Sequence, residues 1–112
     1  YIGLELAQSI YSIVLDNKAT GHTKNFNAEI ASVAKKDLKA GQKLDGEGGY
    51  CARGRLISSK RSKQERILPM GYTDNAVLKN DIMKDQFIRL DDVELNLHKE
   101  IIEAREYQYN LI

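Results

Sequence analysis

The alternation of apolar and polar positions along the chain predicts short strands in the middle and a helix at each end. Residues 1–17 repeat apolar side chains at three- and four-residue spacings, and few polar positions interrupt them. Between residues 28 and 95, short apolar runs are separated by turn-forming residues, which is typical of a β-rich domain. Residues 96–112 return to a helical spacing, with Asn96 as the expected N-cap. The predicted fold is therefore α+β and mainly β, with a linker or interface helix before the central domain and a helix after it.

Part of the central domain is repeated within residues 33–90. Part of residues 33–50 recurs in residues 77–90, and the two copies align at a constant offset without gaps. The identical pairs are Val33/Val77, Lys35/Lys79, Asp37/Asp81 and Gln42/Gln86, and the conservative pairs are Leu38/Ile82 and Leu44/Ile88. The repeat predicts two related hairpin-like arms that interlock into a small barrel-like body.

Turns and loops are marked by glycine, proline and charged residues. Gly41 is placed to adopt a positive φ, and Asp85, at the equivalent position of the second copy, tolerates the same backbone. Residues 58–66 are polar throughout, which predicts a mobile loop or a short surface turn. The cationic side chains of this segment are Lys60, Arg61, Lys63 and Arg66. By default they belong to a solvated loop; the alternative is that they contact a phosphate or an acidic partner.

Composition narrows the class of protein. The chain has 112 residues, 42% of them hydrophobic, which fits one globular domain. Seventeen basic residues against sixteen acidic ones argue against binding to nucleic acid or to an anionic membrane surface. Cys51 is the only cysteine, so no internal disulfide can form and a reducing, cytoplasmic compartment is expected. Because the first residue is Tyr1, we expect the chain to be a fragment of a longer protein.

The loop that follows Leu44 is the main candidate site. It contains three glycines in four positions, so its backbone N–H groups could contact an anionic sugar-phosphate substrate, or the glycines could serve chain geometry alone. We favour the geometric interpretation. The candidate contact residues are Asp45, Glu47, Gly48, Gly49, Tyr50 and Arg53. Asp45 and Glu47 could hold a metal ion, but a solvated turn is the favoured interpretation of this pair. Cys51 is interpreted as a small buried side chain in preference to a nucleophile.

Two segments of the sequence resemble a known family. Residues 33–41, followed by Leu44 and Asp45, resemble the opening of an SAF domain, a small β-clip fold, and residues 77–93 resemble its closing half. Residues 44–50 and 68–71 are similar to one branch, the C-terminal domain of homoserine dehydrogenase-like NAD(P)-dependent oxidoreductases. Some members of that branch are reductoisomerase-like enzymes acting on deoxyxylulose phosphate. Cys51, Arg53 and Arg55 depart from the pattern of these relatives.

The resemblance implies a non-catalytic role. In that family an N-terminal Rossmann domain binds NAD(P), and a middle domain carries the chemistry and dimerisation. This sequence has no GxGxxG fingerprint with its acidic partner and no phosphate-binding loop, so no cofactor or metal is expected on it. The expected partners are those two domains and a second copy bound through the terminal helices. The alternative is a stand-alone module that binds a carbohydrate or sugar acid, as suspected for other SAF domains.

Overall fold

The computed structural model describes all residues from 1 to 112. Small antiparallel sheets lie between an N-terminal and a C-terminal helix, which confirms the predicted α+β class. The helices are α1 (Ile2–Asp16), α2 (Ser59–Gln64) and α3 (Lys99–Tyr109), with 3₁₀ turns at Met70–Tyr72 and Leu90–Asp92. The strands are β1 (Ala28–Ala34), β2 (Lys43–Asp45), β3 (Ala52–Ser58), β4 (Asp74–Leu78) and β5 (Val93–Glu94). None of the helices combines the length and the hydropathy that a membrane span requires.

Two sheets build the centre of the molecule. Strands β1 and β3 form an antiparallel pair, and the second sheet has the order β2-β4-β5. The other side of β1 is bridged by Pro69 and Phe87, so β1 is enclosed on both edges. The segment at Phe87 and Ile88 pairs with β1 through the isolated bridge of Phe87 with Val33, without a continuous ladder.

The two arms of the repeat adopt the same backbone and bind each other. The N–H of Leu38 donates to the carbonyl of Ile82 at 2.8 Å, and the N–H of Ile82 donates back to Leu38 at 3.0 Å. A second matched pair joins each strand to the opposite arm. In it the N–H of Leu78 donates to Gln42 and the N–H of Ala34 donates to Gln86, both at 2.9 Å. The predicted relation between the arms is therefore present as an approximate twofold symmetry.

The repeated aspartates lock each arm onto the other. The Asp37 carboxylate accepts the N–H of Lys84 at 2.8 Å, and the Asp81 carboxylate accepts the N–H of Ala40 at 2.9 Å. An ionised carboxylate bound to a backbone N–H makes a stronger hydrogen bond than a neutral pair does. These two bonds explain why aspartate occurs at both positions.

The repeated glutamines close the turn within each arm. The side-chain oxygen of Gln42 accepts the N–H of Lys39 at 3.3 Å, and that of Gln86 accepts the N–H of Met83 at 3.1 Å. The conservative apolar pairs lie in the main core instead, where Leu38, Leu44, Ile82 and Ile88 are buried. The thirteen residues of that core are Ala34, Leu38, Leu44, Cys51, Ala52, Leu68, Met70, Tyr72, Ala76, Leu78, Ile82, Ile88 and Val93.

The prediction of a loop over residues 58–66 was wrong, because this segment contains α2. Ser58 caps the helix by accepting the N–H of Arg61 on its side-chain oxygen at 3.2 Å. The helix has no apolar stripe; instead Ser59 and Ser62 are its buried residues. Ser59 donates to the carbonyl of Phe26 at 2.6 Å, which satisfies its buried hydroxyl.

The terminal helices differ in how they are held. Helix α3 begins at Lys99 with His98 as its N-cap, so the predicted cap at Asn96 was wrong. Helix α1 covers nearly the predicted range and ends at Asn17, which adopts a left-handed conformation with φ of 51°. No side chain of α1 is buried by the rest of the chain. Its apolar surface is therefore available for contact outside this chain, and pairing with a second copy stays a prediction.

Candidate functional site

The glycine-rich loop is organised by the carboxylate of Asp45 at the end of β2. This carboxylate accepts the N–H of Tyr50 at 2.6 Å and the N–H of Cys51 at 3.0 Å. These two backbone hydrogen bonds lower the pKa of Asp45 to about 2. The side chain is consequently ionised at neutral pH and acts as an anchor for the loop; it is a poor proton acceptor.

The glycines of this loop are required by its shape. Gly46 and Gly48 adopt positive φ values of 76° and 79°. A Cβ atom on Gly49 would lie 2.3 to 2.6 Å from the carboxylate atoms of Asp45. The loop therefore folds around its own carboxylate, which supports the geometric interpretation of the glycines.

The other predicted contact residues are brought together only in part: Glu47 lines one shallow cavity with Asp45 and Asp74, whereas Arg53 lies elsewhere. Glu47 is exposed, and Tyr50 is 84% exposed. The ammonium group of Lys35 donates to the carbonyl of Gly49, which binds the loop to the end of β1. Arg53 forms an ion pair with Asp85 at 3.0 Å and belongs to a different cluster.

The chain lacks a cluster of side chains for metal binding. No group of three or more His, Cys, Asp or Glu residues lies close enough together to hold an ion. Cys51 is buried, and its burial raises the pKa of the thiol. The two histidines, His22 and His98, are exposed and lie in different parts of the chain.

A groove of about 590 Å³ lies between α2, α3 and the second sheet. At its wall, Arg105 forms an ion pair with the buried Glu29 and lies 5.2 to 5.9 Å from the ring centroids of Phe26, Tyr72 and Tyr109. These contacts hold α3 against the strands. The groove is lined by Ser62, Lys63, Arg66, Tyr72, Leu90, Val93, Leu95, Ile102, Arg105, Glu106, Tyr109 and Asn110. Sequence reasoning missed it because Glu29 and Arg105 are far apart in the chain.

A second cluster that sequence reasoning missed is built from arginines around Phe87. The guanidinium carbons of Arg55 and Arg61 lie 5.7 and 5.1 Å from the centroid of the Phe87 ring, on strand β3 and helix α2 respectively. Arg61 also pairs with Glu65 at 2.7 Å, and this hydrogen bond lowers the pKa of Glu65. Arg55 has no carboxylate within ion-pair distance. Two sequence signals pointed here: the departure of Arg55 from the pattern of relatives, and the cations of residues 58–66, which include Arg61.

Comparison with known families supplies one match. The sequence model described as the SAF domain matches residues 32–94, which is more than half of the chain. The matched segment runs from the middle of β1 to the end of β5 and includes both arms. No curated protein matches the chain.

Proposed function

This chain belongs to the SAF domain family, and on that premise we propose that it is a non-catalytic module of a homoserine dehydrogenase-like NAD(P)-dependent oxidoreductase. A Rossmann domain of the same protein binds NAD(P), and a central domain carries the chemistry. The SAF module contributes a structural, lid or oligomerisation surface to them. A cytoplasmic setting belongs to the same proposal, because the only cysteine is a free thiol.

The observation that carries the proposal is the apolar surface of α1. Eight large apolar side chains of this helix are exposed, with fractions from 53% at Ile10 to 90% at Ile2. A concentration of exposed apolar side chains of this kind is typical of a surface that another protein covers. One further feature supports a role without chemistry: the carboxylate of Asp45 is held by its own loop.

Self-association through α1 can be tested by sedimentation velocity at several concentrations. We expect the chain to associate, and we expect Leu6→Ser with Ile10→Ser to weaken that association. Gln8→Ser with Ser9→Ala changes polar positions of the same helix and serves as the matched control. A wild-type chain that stays monomeric at every concentration would contradict the oligomerisation part of the proposal.

The absence of catalysis needs a separate test. NADH and NADPH fluorescence titrations of this chain should show no binding. In the full oxidoreductase, removal of the SAF module should leave nucleotide binding intact while it lowers turnover or disrupts assembly. Saturable nucleotide binding by the isolated chain, or substrate turnover by it, would overturn the assignment.

The groove beside α3 favours a second candidate function, the binding of a sugar acid. It combines the rings of Tyr72 and Tyr109 with the ammonium group of Lys63, and beside them lie Arg66 and Arg105, which already pair with Asp91 and Glu29. Aromatic faces suit the apolar side of a sugar ring, and cations suit its carboxylate. Calorimetric titration of the chain with glucuronate tests this function. Saturable heat that is lost in Tyr109→Ala would support it.

A further inference from the structure

Strand β3 has one free edge. It pairs with β1 along residues 52–58, and no other strand lies beside it. On the neighbouring strand, Ser32 and Ala34 direct their N–H and carbonyl groups away from β3: the N–H groups donate to Leu68 and Gln86, and the carbonyls accept from Ile88 and Asp85. In an antiparallel pair, such residues oppose partners whose own backbone groups also point outward.

The register identifies the outward-facing residues of β3. Ala52, Gly54 and Leu56 oppose Ala34, Ser32 and Ile30. Their backbone N–H and carbonyl groups make no hydrogen bond within the chain, whereas those of the alternate residues face β1. Ala52 is buried, so the exposed outward residues are Gly54 and Leu56. These two residues present a short row of donors and acceptors of the kind that an added strand pairs with.

The two faces beside this edge have different chemistry. Arg53 and Arg55 lie on one face, where Arg55 is stacked on Phe87 without an acidic partner. The pair of Arg53 with Asp85 is exposed, and a pair of this kind contributes about 1 kcal/mol or less, so a ligand carboxylate can replace it. The opposite face carries Leu56 and Ile30, which are 69% and 44% exposed.

The charges disfavour pairing of this edge with a second copy. An antiparallel β3–β3 pair centred on Gly54 would place Arg53 opposite Arg55 at both ends. Like charges at directly opposed positions destabilise a strand pair. The charges of this edge thus oppose pairing with a second copy of β3 and favour pairing with a negatively charged strand.

We propose that the free edge of β3 binds an extended segment of a partner protein in which acidic and apolar residues alternate. The segment adds a strand to the β1–β3 sheet through the backbone groups of Gly54 and Leu56. Its acidic side chains meet Arg53 and Arg55, and its apolar side chains cover Leu56 and Ile30. This inference does not depend on the oxidoreductase assignment.

A blocked peptide that alternates glutamate and valine is the probe, followed by amide NMR of the labelled chain. The amides of Gly54 and Leu56 should shift and become protected from hydrogen exchange on titration. Arg53→Gln with Arg55→Gln should weaken binding about tenfold through the loss of two exposed charge pairs. Lys18→Glu with Lys79→Glu changes the charge of the chain outside β3 and should leave binding within about twofold.

Two variants separate edge pairing from simple charge attraction. Arg53→Glu with Arg55→Glu should reverse the preference, so that a lysine–valine peptide binds in place of the glutamate–valine one. Leu56→Pro removes an outward N–H without touching the bonds to β1, and it should abolish binding while the Arg53 amide stays protected.

Three outcomes would overturn the inference. One is equal binding of the acidic and basic peptides to the wild-type chain. Another is undiminished binding to a folded Leu56→Pro variant. The third is protection of the Gly54 amide that rises with the concentration of the chain in the absence of peptide, since a second copy would then occupy the edge.

Discussion

The arm formed by residues 33–50 and the arm formed by residues 77–94 share a backbone and carry different side chains at their ends. At the centre, Leu38 and Ile82 exchange hydrogen bonds, and each repeated aspartate binds the opposite arm. At the ends, Asp45 of the first arm corresponds to Arg89 of the second, and Lys43 corresponds to Phe87. The repeated positions are thus those that hold the two arms together. The positions that differ between the arms can take on other roles.

The unmatched ends have taken different roles. Asp45 anchors the glycine-rich loop through two backbone N–H groups. In the second arm, Phe87 supports the guanidinium groups of Arg55 and Arg61. The hydrogen bond from Arg61 lowers the pKa of Glu65, and the charge of Arg89 adds to that effect. The end of the first arm therefore orders the glycine-rich loop, whereas the end of the second arm holds charged side chains at the surface.

The largest expected effect comes from truncating the residues at the symmetric centre. Leu38→Ala and Ile82→Ala each remove a buried side chain from the main core. Each should lower the free energy of unfolding by about 3 kcal/mol, and the two values should agree within about 1 kcal/mol. Urea denaturation measures both. A large loss in one variant and almost none in the other would show that the arms are not equivalent.

The next effect concerns the anchor that only the first arm has. Asp45→Ala should destabilise the chain by about 2 kcal/mol at neutral pH, because it removes two hydrogen bonds to a charged acceptor. The pKa of Asp45 is lowered from 3.8 to about 2, so its contribution is present above pH 4 and lost as the pH falls towards 2. The stability difference between wild type and variant should shrink across that window. A constant difference would contradict the anchor role.

A second variant sharpens this test. Gly49→Ala places a Cβ atom against the Asp45 carboxylate and should be destabilising on its own. In the Asp45→Ala background the clash is absent, so the added cost of Gly49→Ala should be much smaller. Additive costs would mean that the glycine serves something other than this contact.

A smaller effect is expected for the two repeated aspartates. Asp37→Ala removes one bond between the arms and Asp81→Ala removes two, so each should lower stability slightly, with the larger loss in Asp81→Ala. Asp81 also pairs with Lys39, a contact that lowers the pKa of Asp81. Its contribution is therefore lost as the pH falls below the ordinary aspartate range. Chemical denaturation at pH 7 and at pH 3 should show a smaller cost of Asp81→Ala at the lower pH.

The smallest effect separates the two turns. Gly41 and Asp85 occupy equivalent positions with φ values of 81° and 67°. Gly41→Ala should cost about 1 kcal/mol because a side chain is strained in this conformation. Asp85→Gly should change stability by less than about 0.5 kcal/mol, since relief of strain is offset by chain entropy and by loss of the Arg53 pair. Thermal unfolding of both variants measures the contrast, and a larger loss in Asp85→Gly would contradict it.

The features that could be predicted from sequence are those that repeat or are local. The identical residue pairs were enough to predict the two arms, because equivalent positions make the same hydrogen bond and therefore carry the same residue, as at Asp37 and Asp81. The periodicity of residues 1–17 was enough to predict α1. Helix α2 was missed since its buried side chains are serines, and its one local signal was the cap at Ser58.

The candidate surfaces depend on contacts between distant parts of the chain. The stacking of Arg55 and Arg61 on Phe87, and the pairing of Glu29 with Arg105, each join segments that no local pattern connects. The free edge of β3 follows from the order of strands in the sheet, which short-range periodicity does not specify. Sequence reasoning found the loop at Asp45 because its glycines are close together in the chain. It missed the edge of β3 because that edge depends on contacts between distant segments.

Native-state hydrogen exchange of the Leu38 and Ile82 amides tests most directly whether the two arms form one cooperative frame. Both amides donate across the centre of the clip. We predict that they exchange with the same free energy, equal to that of global unfolding, and that they respond equally to denaturant. If one of the two amides exchanged through a smaller opening while the other stayed protected, the arms would be separate units and the account would be wrong.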